Sequence, residues 1–378
     1  INNYSEIKNI ILQKNINLLI IGPEDPLVNG LHDQLENDHD IHDLIIIGPK
    51  KNGAQLEGSK AFAKNFMHKY NIPTAGYKSF SLNEHEDAIN YLKTIHAPYV
   101  IKADGLAAGK GVFICKEYNE ASRIVEDIML KSKFGKAGNR IVIEEFLDGI
   151  ELSVFILTDG INYKLLPSAK DYKRIGEKDT GLNTGGMGAV SPVPFLDKEL
   201  LEKIKLKIIE PTLKGLQNEK IEYSGFIFFG LIKVQNEPYV IEYNVRLGDP
   251  ETQTIMPRIE SDFLELLTTL KTQEKFKKKE LNINQNHATT VILTSKGYPE
   301  KYTTGHILTG LNNLNKSTAF HAGLKQNNTE HITSGGRVLA ITALGDTIEN
   351  SINNAYSNVK KIKFNNIYFR KDIGADIK

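Results

Sequence analysis

The sequence predicts a multi-domain protein that joins an α/β part to α+β parts, and three observations lead there. Its 378 residues exceed what one core ordinarily serves and allow two or three domains, each burying its own apolar surface. The opening segment alternates helix-like and strand-like patterns, which predicts a parallel α/β layer. The middle exchanges that alternation for paired apolar runs between longer helical stretches, the pattern of antiparallel strands with covering helices.

Taken in order, Ile7, Ile10, Ile11 and Leu12 fall at roughly helical spacing within 5–15, and "NLLIIGPE" follows as a buried strand ending in a turn. A polar helix near 29–37 and the run "DLIIIGP" repeat the pair. Ser59 is placed to cap a helix through about Tyr70, with Phe62 and Phe66 one turn apart and Pro73 just beyond its end. From 98 onward, "PYVIK", a glycine-rich loop, "GVFIC", a helix near 118–131 and "RIVIEEFL" form a strand, loop, strand, helix, strand unit. "ELSVFILT" and "NYKLLPS" are joined by Asp159-Gly160, a two-residue hairpin signal. A second hairpin, "GFIFFGLIKV" with "PYVIEYN", lies between helices near 197–218 and 261–273. The basic stretch "EKFKKKE" (274–280) reads as a solvated linker. Beyond it, "ATTVILTS", "GRVLAITALG" and a helix near 346–361 form a small C-terminal α/β unit.

Lys plus Arg (47) nearly balance Asp plus Glu (46), so no overall field favours a nucleic acid or an anionic membrane as partner. The single cysteine, Cys115 in "GVFIC", leaves no intramolecular disulfide and reads as an inert buried thiol. No stretch reaches the roughly 18 apolar residues of a membrane span, and "INNYSEIKNI" carries no signal-peptide pattern. A cytoplasmic protein is expected. The ten histidines form no HxH, HxxxH or HExxH pair, so no zinc site is expected, and His321 in "FHAG" reads as part of a structural turn.

Three constellations carry chemistry. "KADGLAAGKGV" (102–112) follows a strand with Gly105, Gly109, Lys110 and Gly111, which would let backbone N–H groups and mobile positive charge approach phosphates. It is not the Walker pattern, because no Ser or Thr follows Lys110 and a strand, not a helix, comes next. In "VIEEFLDGIE" (142–151) a strand ends in acids; backbone groups around Glu145 to Leu147 could meet an adenine edge and Glu151 both ribose hydroxyls. In "EYNVRLGDPETQ" (242–253), Glu242 and Asn244 share a strand face while Tyr243 points away. Two oxygen ligands on one face suit Mg²⁺, which takes few protein ligands and completes its shell with phosphates and water. Read singly, each has a plain alternative: a flexible turn, a polar strand end, an idle exposed acid.

The order of these pieces resembles the ATP-grasp superfamily. The stretches "GPEDPLVNG" (22–30), "QLEGSKAFAK" (55–64), "IKADGLAAGKGV", "VIEEFLDGIE", "NTGGMGAVSP" (183–192), "RLGDPETQ" (246–253) and "SGGRVL" (334–339) resemble the phosphoribosylamine-glycine ligase (glycinamide ribonucleotide synthetase) family nearly end to end. The resemblance implies an ATP-grasp fold: an N-terminal α/β substrate domain at 1–57, an ATP-grasp domain at 58–280 with a lid at about 103–168, and a C-terminal domain at 286–378. It implies a monomeric ligase of purine biosynthesis that uses ATP with Mg²⁺ or Mn²⁺. Glycine would be activated to glycyl phosphate and captured by the amine of 5-phosphoribosylamine. By motif position, Lys60 and Lys102 would hold ATP phosphates under a cover formed by Gly105, Gly109, Lys110 and Gly111. Glu144, Glu145, Phe146 and Leu147 would form the adenine hinge, Glu151 the ribose ligand, and Glu242 with Asn244 the metal site. Arg246, Asp249 and Asp171 would serve the chemistry, Asp249 by receiving the amine of glycine or by orienting Arg246. Glu24, Asp171, Lys173, Asn183, Gly185, Gly186 and Arg246 would meet substrate.

Some positions depart from the family pattern. The family begins with a strand and a "GGREH" loop for the phosphate of phosphoribosylamine, and none stands before "INNYSEIK", so an incomplete first domain is expected. "KDYKR" replaces "QDHKR", which changes Lys170 and Tyr172 but keeps Asp171, Lys173 and Arg174. Leu182 replaces a usual proline in "DTGLNTGGMG", a loop expected to cover the acyl phosphate against water. Two other readings remain open at this stage: an ATP-grasp ligase for a different carboxylate and amine, and a nucleotide-binding relative without catalysis.

Overall fold

A computed structural model describes residues 3–107 and 109–377. At the start, helix Tyr4–Gln13 leads into the parallel strands Leu18–Ile20 and Ile45–Ile47, with helices Glu24–Val28, Leu31–Glu36 and Lys51–Gly58 around them. Helix Lys60–Lys69 begins where expected: the Ser59 hydroxyl oxygen accepts from the Phe62 N–H at 3.1 Å, and the Phe62 and Phe66 rings stack along the buried side.

Two antiparallel four-stranded sheets form the middle of the molecule. One runs in the order Tyr77–Ser81, Arg140–Glu145, Tyr99–Ala103, Val112–Cys115, under helices His85–Leu92 and Tyr118–Met129. The other runs Glu237–Asn244, Gly225–Val234, Ile150–Thr158, Tyr163–Leu165. The expected lid interval of about 103–168 cuts across both. Register ties Tyr99–Ala103 to strands on either side of it within the first sheet, whereas Ile150–Thr158 pairs with Gly225–Val234 in the second.

Three local expectations need correction. Thr158 pairs with Tyr163, so the turn at Asp159-Gly160 spans 159–162; Asp159 Oδ1 accepts from the N–H groups of Ile161 (2.9 Å) and Asn162 (2.6 Å), which stabilises the wider loop. The "solvated linker" is a helix over Gln273–Lys278, because Phe276 is buried against Leu266, Leu267 and Leu270 while its lysines face water. The C-terminal unit is not closed on itself. Its sheet runs Ser317–His321, Arg337–Gly345, His287–Ser295, and then takes in Gly188–Ser191 and Lys170–Asp171 from the middle of the chain. Helix Ile348–Val359 covers it, and a small sheet of Ile307–Leu308, Glu330–Thr333 and Leu324–Asn327 adjoins. Among the described residues no helix is long and apolar enough to cross a membrane.

Candidate active site

A cleft opens between the two middle sheets, with ≈ 860 Å³ of atom-free space including its mouth. Helix Lys60–Lys69, the glycine-rich loop and the strand Glu237–Asn244 line it, together with Glu24, Glu57 and Arg246. Lys60 is the first residue of its helix. Its N–H donates to the Asp104 carbonyl at 3.1 Å, and the Asp104 carboxylate accepts from Ser59 Oγ (2.9 Å) and the Ala61 N–H (2.7 Å), which pins the loop to the helix start. Lys60 Nζ approaches only the Gly105 carbonyl, at 3.5 Å, and burial lowers its pKa. Among the described residues it forms no ion pair, so a cation stands in the cleft ready for an anion. Gly109 and Gly111 line the same space; Gly109 has φ +72°, and a Cβ on Gly111 would lie 2.7 Å from that of Ala107. Gly105 instead packs on Ala137, and the exposed Lys110 is not part of the lining.

Glu144, at the start of the expected hinge, has its side chain committed elsewhere. Its side chain is buried between two lysines, Oε1 at 2.8 Å from Lys102 Nζ and Oε2 at 2.9 Å from Lys64 Nζ. Burial opposes its charge, yet Lys102 and Lys64 hold its pKa below the ordinary value, while burial pushes Lys64 down to about 8. A strand-borne acid aimed inward beside Lys102 spaces the two lysines. The Glu145 N–H is spent on the Gly76 carbonyl at 2.9 Å. Phe146, 39% exposed, and Leu147 lie past the strand end and outside the cleft lining.

The metal-type pair sits on a distorted strand. Gly230 pairs with Glu242 but Leu231 with Val240, so Ile241 is an extra, bulged residue, and its carbonyl accepts from Lys102 Nζ at 3.4 Å. Tyr243 turns to the opposite side and hydrogen-bonds Thr212 at 2.9 Å. Glu242 and Asn244 face the cleft, and the buried Asn244 amide nitrogen has no partner. Turning that amide presents its oxygen beside Glu242. One carboxylate and one amide oxygen fit a hard cation that takes its other ligands from phosphates and water. Among the described residues no group of three His, Cys, Asp or Glu could hold a metal unaided.

Arg246 is held by acids from the N-terminal part. Its Nη2 donates to Glu57 Oε1 at 2.9 Å and its Nε lies 3.5 Å from Glu24 Oε2, while Glu57 Oε2 accepts from the Val245 N–H at 2.8 Å. Burial pushes the Glu57 carboxyl up to about 7, against the pull of Arg246. Asp249 therefore does not orient Arg246: it pairs with Arg337 of the C-terminal sheet, which reaches across the turn. Glu57 escaped the sequence reading. Its signal is an acid among the buried Ala54 and Leu56 on one short helix.

A second polar cluster continues along the same sheet face, since Ser153 stands opposite Gly230 and Glu151 lies two residues away. Lys173 Nζ is 2.7 Å from Glu151 Oε2 and 4.0 Å from Asp171 Oδ2. Glu151, expected on a ribose, is thus engaged by Lys173. Burial raises the pKa of Asp171 and pushes Glu251 up to about 8. The departures Lys170 and Tyr172 turn away from this cluster. Both bond Asp376 near the C-terminal end, the Tyr172 ring lies under Lys170 Nζ (4.3 Å) and beside Arg370 (5.2 Å), and its hydroxyl oxygen accepts from the Gly374 N–H at 3.0 Å. The changed residues thus support the Asp171 strand from behind. Asn183 ends an exposed strand, Thr180–Asn183, in which Leu182 is 50% exposed. Gly185 and Gly186 contact Arg337, and neither they nor Asn183 line the cleft.

The chain matches three family models: the phosphoribosylglycinamide synthetase N domain over 1–57, its ATP-grasp (A) domain over 58–252, and its C domain over 288–376. A phosphoribosylamine–glycine ligase of Fusobacterium nucleatum is 44% identical over 373 residues, 98% of this chain and 86% of the relative. The Escherichia coli O6:H1 protein of that name is 45% identical over 95% of this chain and 83% of its own length. A crystal structure of the Thermotoga maritima phosphoribosylamine–glycine ligase superposes with TM-score 0.80 at 34% identity, covering 90% of this chain and 84% of that one. A biotin carboxylase of Campylobacter jejuni shares the fold alone, at TM-score 0.72 and 16% identity over 97% of this chain and 79% of that one. With a cation-lined cleft between two antiparallel sheets and all three family models matched in order, the chain has the ATP-grasp fold and belongs to the phosphoribosylglycinamide synthetase family.

Proposed function

We propose that the protein joins glycine to 5-phosphoribosylamine at the expense of ATP, through glycyl phosphate, giving glycinamide ribonucleotide, ADP and phosphate. The observation that carries this reading is the cleft itself: Lys60, Lys102 and Arg246 converge on the strand end that bears Glu242 and Asn244. Lys60, which forms no ion pair among the described residues, and Lys102, spaced by Glu144, would hold the polyphosphate. Glu242 and Asn244 would hold Mg²⁺ or Mn²⁺, whose charge offsets that of the phosphates during transfer. Arg246 is fixed by Glu57, Glu24 and the Leu247 carbonyl, and the guanidinium N–H groups not used there would meet a carboxylate or an acyl phosphate. Asp171 and Lys173 would meet the substrates farther along the sheet, with Gly185 and Gly186 in the covering loop. In the same reading 1–57, 58–280 and 286–378 are the functional divisions of the chain.

The test is direct. Purified protein is incubated with ATP, Mg²⁺, glycine and freshly prepared phosphoribosylamine; the expected outcome is ADP and glycinamide ribonucleotide in equal amounts, each dependent on both co-substrates. ADP formed with another carboxylate but not with glycine would make the protein a different ligase. Nucleotide binding without turnover would make it a non-catalytic relative.

A further inference from the structure

Away from the nucleotide cleft, three stretches distant in sequence meet at one guanidinium. Arg337 opens the strand Arg337–Gly345 of the C-terminal sheet. Its Nη1 donates to the carbonyl oxygens of Gly185 and, at 3.4 Å, Asp249, and to Asp249 Oδ1 at 3.2 Å, while Nη2 donates to Asp249 Oδ2. Tyr298 joins from the same unit, its hydroxyl oxygen accepting from the Gly185 N–H at 3.0 Å. The glycines are shaped to this approach. A Cβ on Gly185 would stand 3.0 Å from Arg337 Cζ, and one on Gly186, at φ +103°, only 2.3 Å from Pro250 Cδ.

An exposed ion pair contributes little as a rule, but this one is two-pronged and takes main-chain carbonyls as well, so it fixes two turns relative to each other. Asp249 stands three residues beyond Arg246, and the Gly185–Gly186 turn closes the segment that starts with Asp171 and Lys173. Among the described residues the C-terminal unit supplies none to the cleft lining. It meets the reacting region through this clasp and, behind the Asp171 strand, through the shared sheet and Asp376.

Resting on the ligase reading above, we propose that Arg337 is a positioning residue for the substrate half of the reaction: by clasping the Asp249 turn to the Gly185–Gly186 turn it sets where the carboxylate and amine substrates meet Arg246, and nucleotide binding does not depend on it. A displacement of about 1 Å in such a site costs on the order of 10²-fold. Arg337→Gln and the milder Arg337→Lys should raise KM for glycine or phosphoribosylamine, or lower kcat, by roughly tenfold or more. MgATP affinity, followed by titration calorimetry, and the melting temperature of Arg337→Lys should stay near wild type. Because Arg337 acts through Asp249, Asp249→Asn combined with Arg337→Gln should cost no more than the worse single change, whereas independent sites multiply. Wild-type kinetics in folded Arg337→Lys and Arg337→Gln, or multiplying losses in the double variant, would overturn the proposal. Parallel loss of MgATP affinity would also overturn it, as a general structural role. Failure of the unaltered protein to form glycinamide ribonucleotide would instead remove the ligase reading, and the proposal with it.

Discussion

Glu57 keeps its charge only while Arg246 and the Val245 N–H offset its burial. Its folded pKa of about 7 stands above the ordinary 4.5, so the group binds its proton as the pH falls through about 7, and Arg246 then loses a counter-charge. Activity that needs a fixed Arg246 should therefore rise with pH through that value. The profile of kcat/KM is expected to show an acid limb near 7 that flattens, at lower overall activity, in Glu57→Gln; an unshifted limb would assign the titration elsewhere. Glu242→Gln tests the cation site separately. It keeps size and hydrogen-bonding capacity but removes charge, so turnover should drop on the order of 10² to 10³-fold and half-maximal activity should require more Mg²⁺. Wild-type Mg²⁺ dependence in that variant would leave Glu242 as an ordinary strand-end acid. Lys60→Ala should weaken ATP binding with the fold intact, because a lysine at a helix start that forms no ion pair among the described residues contributes little to the core; unchanged nucleotide affinity would count against its phosphate role.

At the scale of elements, what the sequence made legible was local. Ser59 caps its helix through a contact three residues away, and Glu242 with Asn244 share a face because strands alternate. Contacts between distant segments were not legible: Glu57 meets Arg246 across 189 residues and Arg337 meets Asp249 across 88, and no periodicity encodes such pairs. The ion pairs of Glu144 were hidden for the same reason, since its partners Lys64 and Lys102 sit on two other elements. The basic helix Gln273–Lys278 shows a related limit. Charge count described its exposed side, whereas one ring decides that it docks. Phe276→Ala should destabilise the protein by about 3–5 kcal/mol, seen as a lower denaturant midpoint. A shift below about 0.5 kcal/mol would return the segment to a solvated tether.

Across the whole molecule, the C-terminal unit props the proposed substrate side from two directions, with Arg337 at the turns and Asp376 behind the Asp171 strand. Removing the hydroxyl in Tyr172→Phe strands the buried Gly374 N–H and weakens the hold on Asp376. The expected cost is about 1–3 kcal/mol of stability, measured by denaturant unfolding, with ATP affinity unchanged. A neutral Tyr172→Phe would mean that the tail contact is incidental. The shared sheet reaches further than stability. Gly188–Ser191 pairs on one edge with Lys170–Asp171, already made, but on the other with His287–Ser295, so while the chain is being synthesised that second edge must wait, open, for roughly one hundred further residues to leave the ribosome. The nucleotide cleft, whose lining residues end at Arg246, has no such delay. A nascent chain stalled at about residue 285 should already retain ATP on an affinity matrix, yet expose 171–191 to protease, and only the last part of the polypeptide would turn an ATP holder into a ligase.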